Sequence, residues 1–198
     1  MEAHLNILLA EDEYPVLMGI KASLESLGHR VIAEATDGKE TIDLALENEP
    51  DLLVVDINMP KVDGIEAIKK INEELIIPAI IVTGYNEKKL IEQAQEAGVF
   101  NYLLKPVNEK ELKPAIEIVM SKFQEFKKLK NELREKEETL QARKYIEKAK
   151  GILMDRNGIK EFEAMKLLQK KSKNNNKKMI TISKEIIKAN ELISKDEN

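Results

Sequence analysis

Cysteine is absent from this chain of 198 residues, so no disulfide framework holds it together and no thiolate zinc or redox site is available to it. Long apolar runs are absent too. The longest, from Leu75 to Val82, has eight residues and is interrupted by Pro78, far short of the roughly 20 that a membrane-spanning helix requires. The first residues, Met1-Glu2-Ala3-His4, have neither the basic nor the apolar region of an export signal. Together these absences predict a soluble protein kept in a reducing cytoplasm, neither exported nor cleaved, with no membrane partner. Aromatic residues are scarce, and in the last third only Tyr145 and Phe162 occur.

What the chain does have is charge, unevenly placed. The formal net charge is −4, but residues 1–112 carry 10 Lys+Arg against 22 Asp+Glu, whereas residues 139–198 carry 15 against 8. An acidic module joined to a basic one is implied, and a basic terminal module commonly meets a polyanion or an acidic partner. The length suits one full domain and a smaller one.

Over the first 112 residues short apolar runs alternate with amphipathic stretches. Leu5 to Ala10, Val31 to Ala35, Leu52 to Asp56, Ala79 to Thr83 and Phe100 to Leu104 read as strands. Pro15 to Leu27, Gly38 to Glu47, Gly64 to Glu74 and Glu87 to Ala97 read as helices, with apolar residues three and four apart, as at Ile65, Ile68 and Ile71. Gly28 and Gly98 stand where helices end, and Asp37 and Asn86 where they begin. Strand and helix repeated in this way predict an α/β fold, a doubly wound five-stranded parallel sheet with helices on both faces. From Asn108, with Glu111 three residues on as in a capping box, the pattern becomes one long helix. Its apolar positions at 112, 116, 119, 123, 126, 133 and 140 follow a four-and-three spacing, broken by Lys130, Glu137 and Lys144. Pro114 lies deep enough to predict a kink or a staggered start. Beyond about Arg156, Asn157-Gly158 marks a stop; Ile159 to Lys171 reads as a second helix, Asn174 to Asn176 as a loop and Ser183 to Ile193 as the core of a third.

If the strands are parallel, their carboxyl ends share a crevice, and three strand ends there bear charge. Glu11 and Asp12 follow the first strand, Asp56 closes the third, and Lys105 follows the fifth. Three carboxylates brought together repel unless a cation offsets them, so Glu11, Asp12 and Asp56 are candidate ligands for Mg²⁺, with Asp56 the candidate phosphoryl acceptor. Thr83, ending the fourth strand, and Lys105 are candidates to contact phosphoryl oxygens. Each residue alone has an ordinary explanation as a turn, a cap or a solvated charge; their placement at four strand ends in order does not.

These residues resemble the receiver domains of two-component response regulators over residues 5–122. The likeness rests on Leu9-Ala10-Glu11-Asp12, on Asp56-Ile57-Asn58-Met59-Pro60 with Asp63-Gly64, on Thr83-Gly84 and on Tyr102-Leu103-Leu104-Lys105-Pro106. It implies a flavodoxin-like fold and phosphorylation of Asp56 by a histidine kinase. It also implies Asp12, Asp56 and the Asn58 backbone carbonyl as direct Mg²⁺ ligands, Glu11 acting through water, and a cis Lys105–Pro106 bond. Thr83 and Tyr102 would form a switch, the hydroxyl moving onto the phosphoryl group and the ring filling the space it leaves. The relay surface, around the fourth helix and fifth strand, would form the contact of a homodimer made on phosphorylation. Glu11 stands where many members have Asp.

The last third resembles the ANTAR family of RNA-binding antitermination domains over residues 139–193. The resemblance is carried by Ala142-Arg143, by Ile146-Glu147-Lys148-Ala149-Lys150-Gly151-Ile152-Leu153-Met154, by Glu163-Ala164 and by Leu167-Leu168 to Ser172; Lys173 and Ser183 depart from the usual methionine and alanine. Ala149, Ile152, Leu153 and Leu167 read most simply as core, with Lys150 left available. The candidate RNA contacts are Arg143, Lys148, Lys150, Arg156, Lys170, Lys171, Lys177 and Lys178. With so few aromatics, a shaped hairpin held by phosphates and loop contacts fits better than an extended strand.

The expected organisation is a receiver at 1–122, a coiled-coil-like helical linker at 123–138 and an RNA-binding helical domain at 139–198. The expected function is that of a phosphorylation-switched regulator, not an enzyme, that binds hairpins in nascent RNA and prevents termination. DNA binding by the same bundle is the rival, though no recognition helix is evident. A phosphatase using Asp56 would want an acid two positions on, where Asn58 stands.

Overall fold

The structure, a computed structural model, describes residues 4–84 and 98–196, with side chains through residue 192. Two compact units divide the chain, Met1–Lys127 and Lys128–Asn198.

In the first unit, strands β1 (Asn6–Ala10), β2 (Arg30–Ala35), β3 (Leu52–Asp56), β4 (Ala79–Thr83) and β5 (Asn101–Leu104) form one sheet in the order β2-β1-β3-β4-β5. Every neighbouring pair is parallel. The β3 and β4 residues are buried without exception, because a parallel sheet covered on both sides leaves no face for polar residues. Alternation along each strand then assigns side chains to two layers. Leu8, Leu53, Val55 and Ile81 join Ala45 of α2 (Gly38–Asn48) and Ile65, Ile68 and Ile71 of α3 (Gly64–Glu74). Ile7, Leu9, Val54 and Ile80 join Leu17, Ile20 and Leu24 of α1 (Tyr14–Ser26) on the other side. The sheet is doubly wound, as the periodicity predicts. The helix expected over Glu87 to Ala97 and its Asn86 cap lie outside the described residues.

Helix boundaries follow local chemistry. The Asp37 carboxylate accepts from the Glu40 N–H at 2.9 Å and the Asp63 carboxylate from the Glu66 N–H at 2.9 Å, starting α2 and α3. Gly28 and Gly98, with φ of 85° and 84°, occupy the left-handed region as expected. Gly64 is needed for a different reason. A Cβ there would lie 2.0 Å from the Asp56 carbonyl oxygen, so the end of β3 rests against the first residue of α3.

The next described helix, α4, runs unbroken from Glu109 to Asn157. Glu111 accepts from the Asn108 N–H at 2.8 Å, and Asn108 Oδ1 accepts from the Lys110 N–H at 2.9 Å, which gives the expected box with the asparagine bonded one residue earlier. Leu112, Ala115, Ile116 and Val119 complete the layer above α1. No separate start appears at Pro114. Its ring is on the exposed side, and the Lys110 carbonyl it leaves unpaired belongs to an exposed residue that water can reach. From 124 to 141 every residue is exposed; Leu133 and Leu140, on the expected seam, are 59% and 58% exposed.

In the second unit, the end of α4 packs with α5 (Glu161–Asn174) and α6 (Met179–Asp196). The core holds Ala149, Leu153, Ala164, Leu168, Ile182 and Ile187, with Ile152 and Leu167 partly buried against it. All four residues assigned to the core from sequence are there. Helix α6 begins four residues ahead of Ser183, because Met179 packs against this core, and Ser183 donates to the Met179 carbonyl at 2.9 Å. The loop expected at Asn174 to Asn176 contracts to a turn after Asn174, with Asn176 at φ 49°.

Gly64→Ala is expected to cost about 1–3 kcal/mol through overpacking against the Asp56 backbone. Urea denaturation followed by circular dichroism measures it, and an unchanged midpoint would show that the β3–α3 contact relaxes freely.

Candidate functional site

The strand order reverses between β1 and β3, whose ends lie side by side, with Ala10 opposite Val55. Ligands of open α/β sheets bind at this point. The chain leaving β1 supplies Glu11 and Asp12, and β3 supplies Asp56. One carboxylate oxygen from each lies within 4.8 Å of the others. Asp56 pairs with Val82 of β4, and Thr83 of β4 pairs with Leu104 of β5, which places the next residue, Lys105, over the same crevice.

Lys105 ties the cluster together. Its Nζ lies 2.8 Å from Glu11 Oε2, 2.9 Å from Glu11 Oε1 and 3.2 Å from Asp56 Oδ2. The peptide from Lys105 to Pro106 is cis. Glu11 is 1% exposed and Asp56 3%, so these charges interact in a medium poorer than water at screening them. Burial pushes the Glu11 carboxyl up, the hydrogen bond from Lys105 pulls it back and the Asp56 charge pushes it up again, leaving it above its ordinary value. For Lys105, burial acts downward but is outweighed by Glu11 and Asp56, which hold the ammonium above its ordinary value.

Glu13 belongs to the site although the sequence did not mark it out. Its N–H donates to Glu11 Oε1 at 3.3 Å, and its carboxylate lies 3.9 Å from Lys105 Nζ. The signal was its position directly after the acidic pair. Glu13 lines a cleft of about 500 Å³ with Asp12, Asp56, Asn58, Gly84 and Lys105. One ammonium thus faces four carboxylates, and Asp56 Oδ1 is buried with no hydrogen-bond partner. A hard divalent cation fits this deficit: the donors are all oxygen, and the orphaned atom is a potential ligand. The acidic cluster is compatible with Mg²⁺.

Thr83 is buried and Tyr102 is 41% exposed. The register pairs Tyr102 with Ile81; Thr83, two residues on from Ile81, therefore projects from the same face of the sheet as Tyr102. The two expected switch residues are diagonal neighbours on the sheet.

The candidate RNA contacts fall into two groups. Arg143, Arg156, Lys170, Lys171 and Lys178 are exposed and, among the described residues, in no ion pair. Lys148 pairs with Glu191 at 3.2 Å and Lys177 with Glu185 at 2.6 Å. Lys150 departs most from expectation. It is 7% exposed and lies 2.6 Å from Glu161 and 2.9 Å from Glu147. Glu161 above all, then Glu147, raise its ammonium above the ordinary value, and Lys150 in turn lowers the Glu161 carboxyl. Rather than standing available, it fastens α4 to the first turn of α5, beside Ala149 in the core; Gly151, expected to let the helices close up, faces open space.

Comparison with known proteins agrees with this geometry. Residues 7–117 match the family model of the response regulator receiver domain, and residues 134–187 match that of the ANTAR domain. The chain is 38% identical over 164 residues to the transcriptional regulatory protein PdtaR of Mycobacterium tuberculosis, covering 83% of this chain and 80% of that one. Among solved structures, it is similar to the REC domain of AraT, a response regulator from Geobacillus stearothermophilus. That match has a TM-score of 0.56 and 34% identity, over 63% of this chain and 99% of that one. A two-component response regulator of the LuxR family from Aurantimonas sp. SI85-9A1 matches with a TM-score of 0.57 and 31% identity, over 60% of this chain and 86% of that one.

Two outcomes test the site and the bundle. Saturating Mg²⁺ is expected to raise the melting temperature of the wild type, by the equivalent of about 2.7 kcal/mol at a hundredfold excess over Kd, and to leave Asp12→Ala nearly unmoved in differential scanning calorimetry. In the bundle, Lys150→Gln is expected to lower the melting temperature, while Lys170→Gln leaves it unchanged.

Proposed function

We infer what the chain does from what it is: it belongs to the response regulators, with an amino-terminal receiver domain and an ANTAR domain behind it. It is a phosphorylation-activated regulator that binds hairpins in nascent RNA and causes antitermination. The observation that carries this reading is the Asp56 carboxylate, buried beside Lys105 with one oxygen unpartnered, in the same chain as an RNA-binding module.

A histidine kinase is the proposed phosphoryl donor. One Asp56 oxygen attacks phosphorus, the bond from phosphorus to the imidazole nitrogen breaks, and its electron pair returns to the ring; the product is an acyl phosphate on Asp56. Glu11, Asp12, Asp56 and the Asn58 carbonyl would hold Mg²⁺, which when bound supplies neutralising charge for the incoming phosphoryl oxygens. Lys105, already held at Asp56, supplies a second positive charge on the other side. Thr83 then closes on the phosphoryl group, and Tyr102 turns inward behind it. The added negative charge acts through this two-position element and not by distance.

We further propose that the phosphorylated chain forms a homodimer, supported by the apolar positions Phe126, Leu133 and Leu140 along the exposed middle of α4. Two copies would present two RNA-binding units, and linkage raises avidity without any new contact. The site of action is the cytoplasm, where transcripts are made. Arg143, Arg156, Lys170, Lys171 and Lys178, in no ion pair among the described residues, are the better placed of the candidate phosphate contacts. Lys148 and Lys177 reach RNA only by exchanging a glutamate for a phosphate.

A two-hairpin RNA in a gel-shift assay tests the whole reading. Acetyl phosphate is expected to tighten binding by the wild type at least tenfold and to have no effect on Asp56→Asn. Equal binding by the two treated proteins would remove the switch, and preference for duplex DNA in competition would remove the RNA.

A further inference from the structure

Tyr145 and Phe162, the two aromatic rings of the second unit, have opposite environments. Tyr145 packs against the bundle core, with Lys184 over its ring at 4.8 Å. Phe162 is 69% exposed, the most exposed of the unit's large hydrophobic residues among those described, and an uncovered phenyl group forfeits the stabilisation that burial would give it. Its place on α5 is informative. Lys166 is four residues on, Lys170 four beyond that and Lys173 three more, so all four side chains lie along one helix face. That face is opposite Ala164 and Leu168, which are 0% exposed. The stripe extends about 16 Å along the helix axis.

The charges beside this stripe are already sorted. Among the described residues, Lys166, Lys170 and Lys173 enter no ion pair, whereas the acids at the start of α5 are committed elsewhere: Glu161 to Lys150, and Glu163 to the Lys160 N–H at 3.0 Å. The Lys166 ammonium lies 4.4 Å from the centre of the Phe162 ring and holds the ring on the same side as the lysines. A flat apolar ring heading a row of free ammonium groups is complementary to a polyanion that also offers flat apolar surfaces. Nucleic acid with unpaired bases has that chemistry; a protein surface with a plain hydrophobic patch would not call for three unpaired lysines.

We propose that this outward face of α5 is a direct RNA contact, in which Phe162 stacks on an unpaired base of a hairpin loop and Lys166, Lys170 and Lys173 hold phosphates of the same strand. The inference rests on the RNA-binding reading above and adds Phe162, Lys166 and Lys173 to it. A stacked base fixes the loop against the helix, while the lysines supply attraction that does not depend on sequence.

The test uses the full chain, treated with acetyl phosphate, and a synthetic two-hairpin RNA with 2-aminopurine in each loop. Phe162→Ala is expected to weaken binding about tenfold and to abolish the quenching of 2-aminopurine fluorescence on binding; Phe162→Tyr is expected to restore both. Replacing Lys166, Lys170 and Lys173 by Gln together is expected to lower the slope of log affinity against log salt by about 2. Wild-type affinity and quenching in Phe162→Ala would overturn the proposal and leave the general function standing. Failure of the wild type to bind any RNA would overturn both. Conversion of the treated protein from dimer to monomer by Phe162→Ala in light scattering would also overturn it, by making the face a contact between copies.

Discussion

The Lys105 ammonium, set between Glu11 and Asp56, is the interaction around which the receiver domain is organised. Without it, buried carboxylates would meet at the switch point of the sheet with nothing to offset them, a juxtaposition costly enough to disfavour the fold. With it, the cluster remains negative overall, and Asp56 keeps an oxygen free of hydrogen bonds. The site is therefore held together yet incompletely satisfied, which suits the role of phosphoryl acceptor and metal ligand proposed for Asp56. The surrounding architecture serves this balance. Two fully buried central strands place their last residues in register, and the missing side chain of Gly64 lets α3 support the backbone that carries Asp56.

The second unit uses the same physics for a different end. Lys150 is even less exposed than Lys105 and contacts two carboxylates, but both Glu147 and Glu161 are largely exposed. Among the described residues of this unit, no surplus negative charge is trapped and no buried side-chain oxygen lacks a partner. The arrangement fastens helices together and leaves recognition to side chains that make no such contacts. Ion pairing thus separates the bundle's basic residues into those that build it and those free to meet a ligand.

Much of this was legible in the sequence because two periodicities rarely mislead when they agree with turn chemistry. Ile65, Ile68 and Ile71 fixed the inner face of α3, continuous apolar runs fixed β3 and β4, and charged residues at strand ends fixed the crevice, with Glu13 the one neighbour overlooked. What sequence could not give was pairing across elements. That Lys150 reaches Glu161 depends on how two helices approach, and spacing along either one says nothing of it. The start of α6 was missed for a related reason: Met179 is an unremarkable residue beside the polar Lys177-Lys178, and only its contact with the core extends the helix back to it. Pro114 starts no separate helix, because its ring is exposed and water can reach the carbonyl it leaves unpaired.

Helix α4 supplies Leu112, Ala115, Ile116 and Val119 to one core and Ala149 and Leu153 to the other. A chain emerging from the ribosome therefore cannot finish its sheet when the fifth strand appears. The layer above α1 stays open until the next turns of helix have cleared the exit, and those turns are continuous with a stretch that finds its own partners only after α5 and α6 have been made. Synthesis thus completes the sensor before the reader, and the polypeptide can respond to its kinase no earlier than the moment at which its RNA-gripping end begins to be translated.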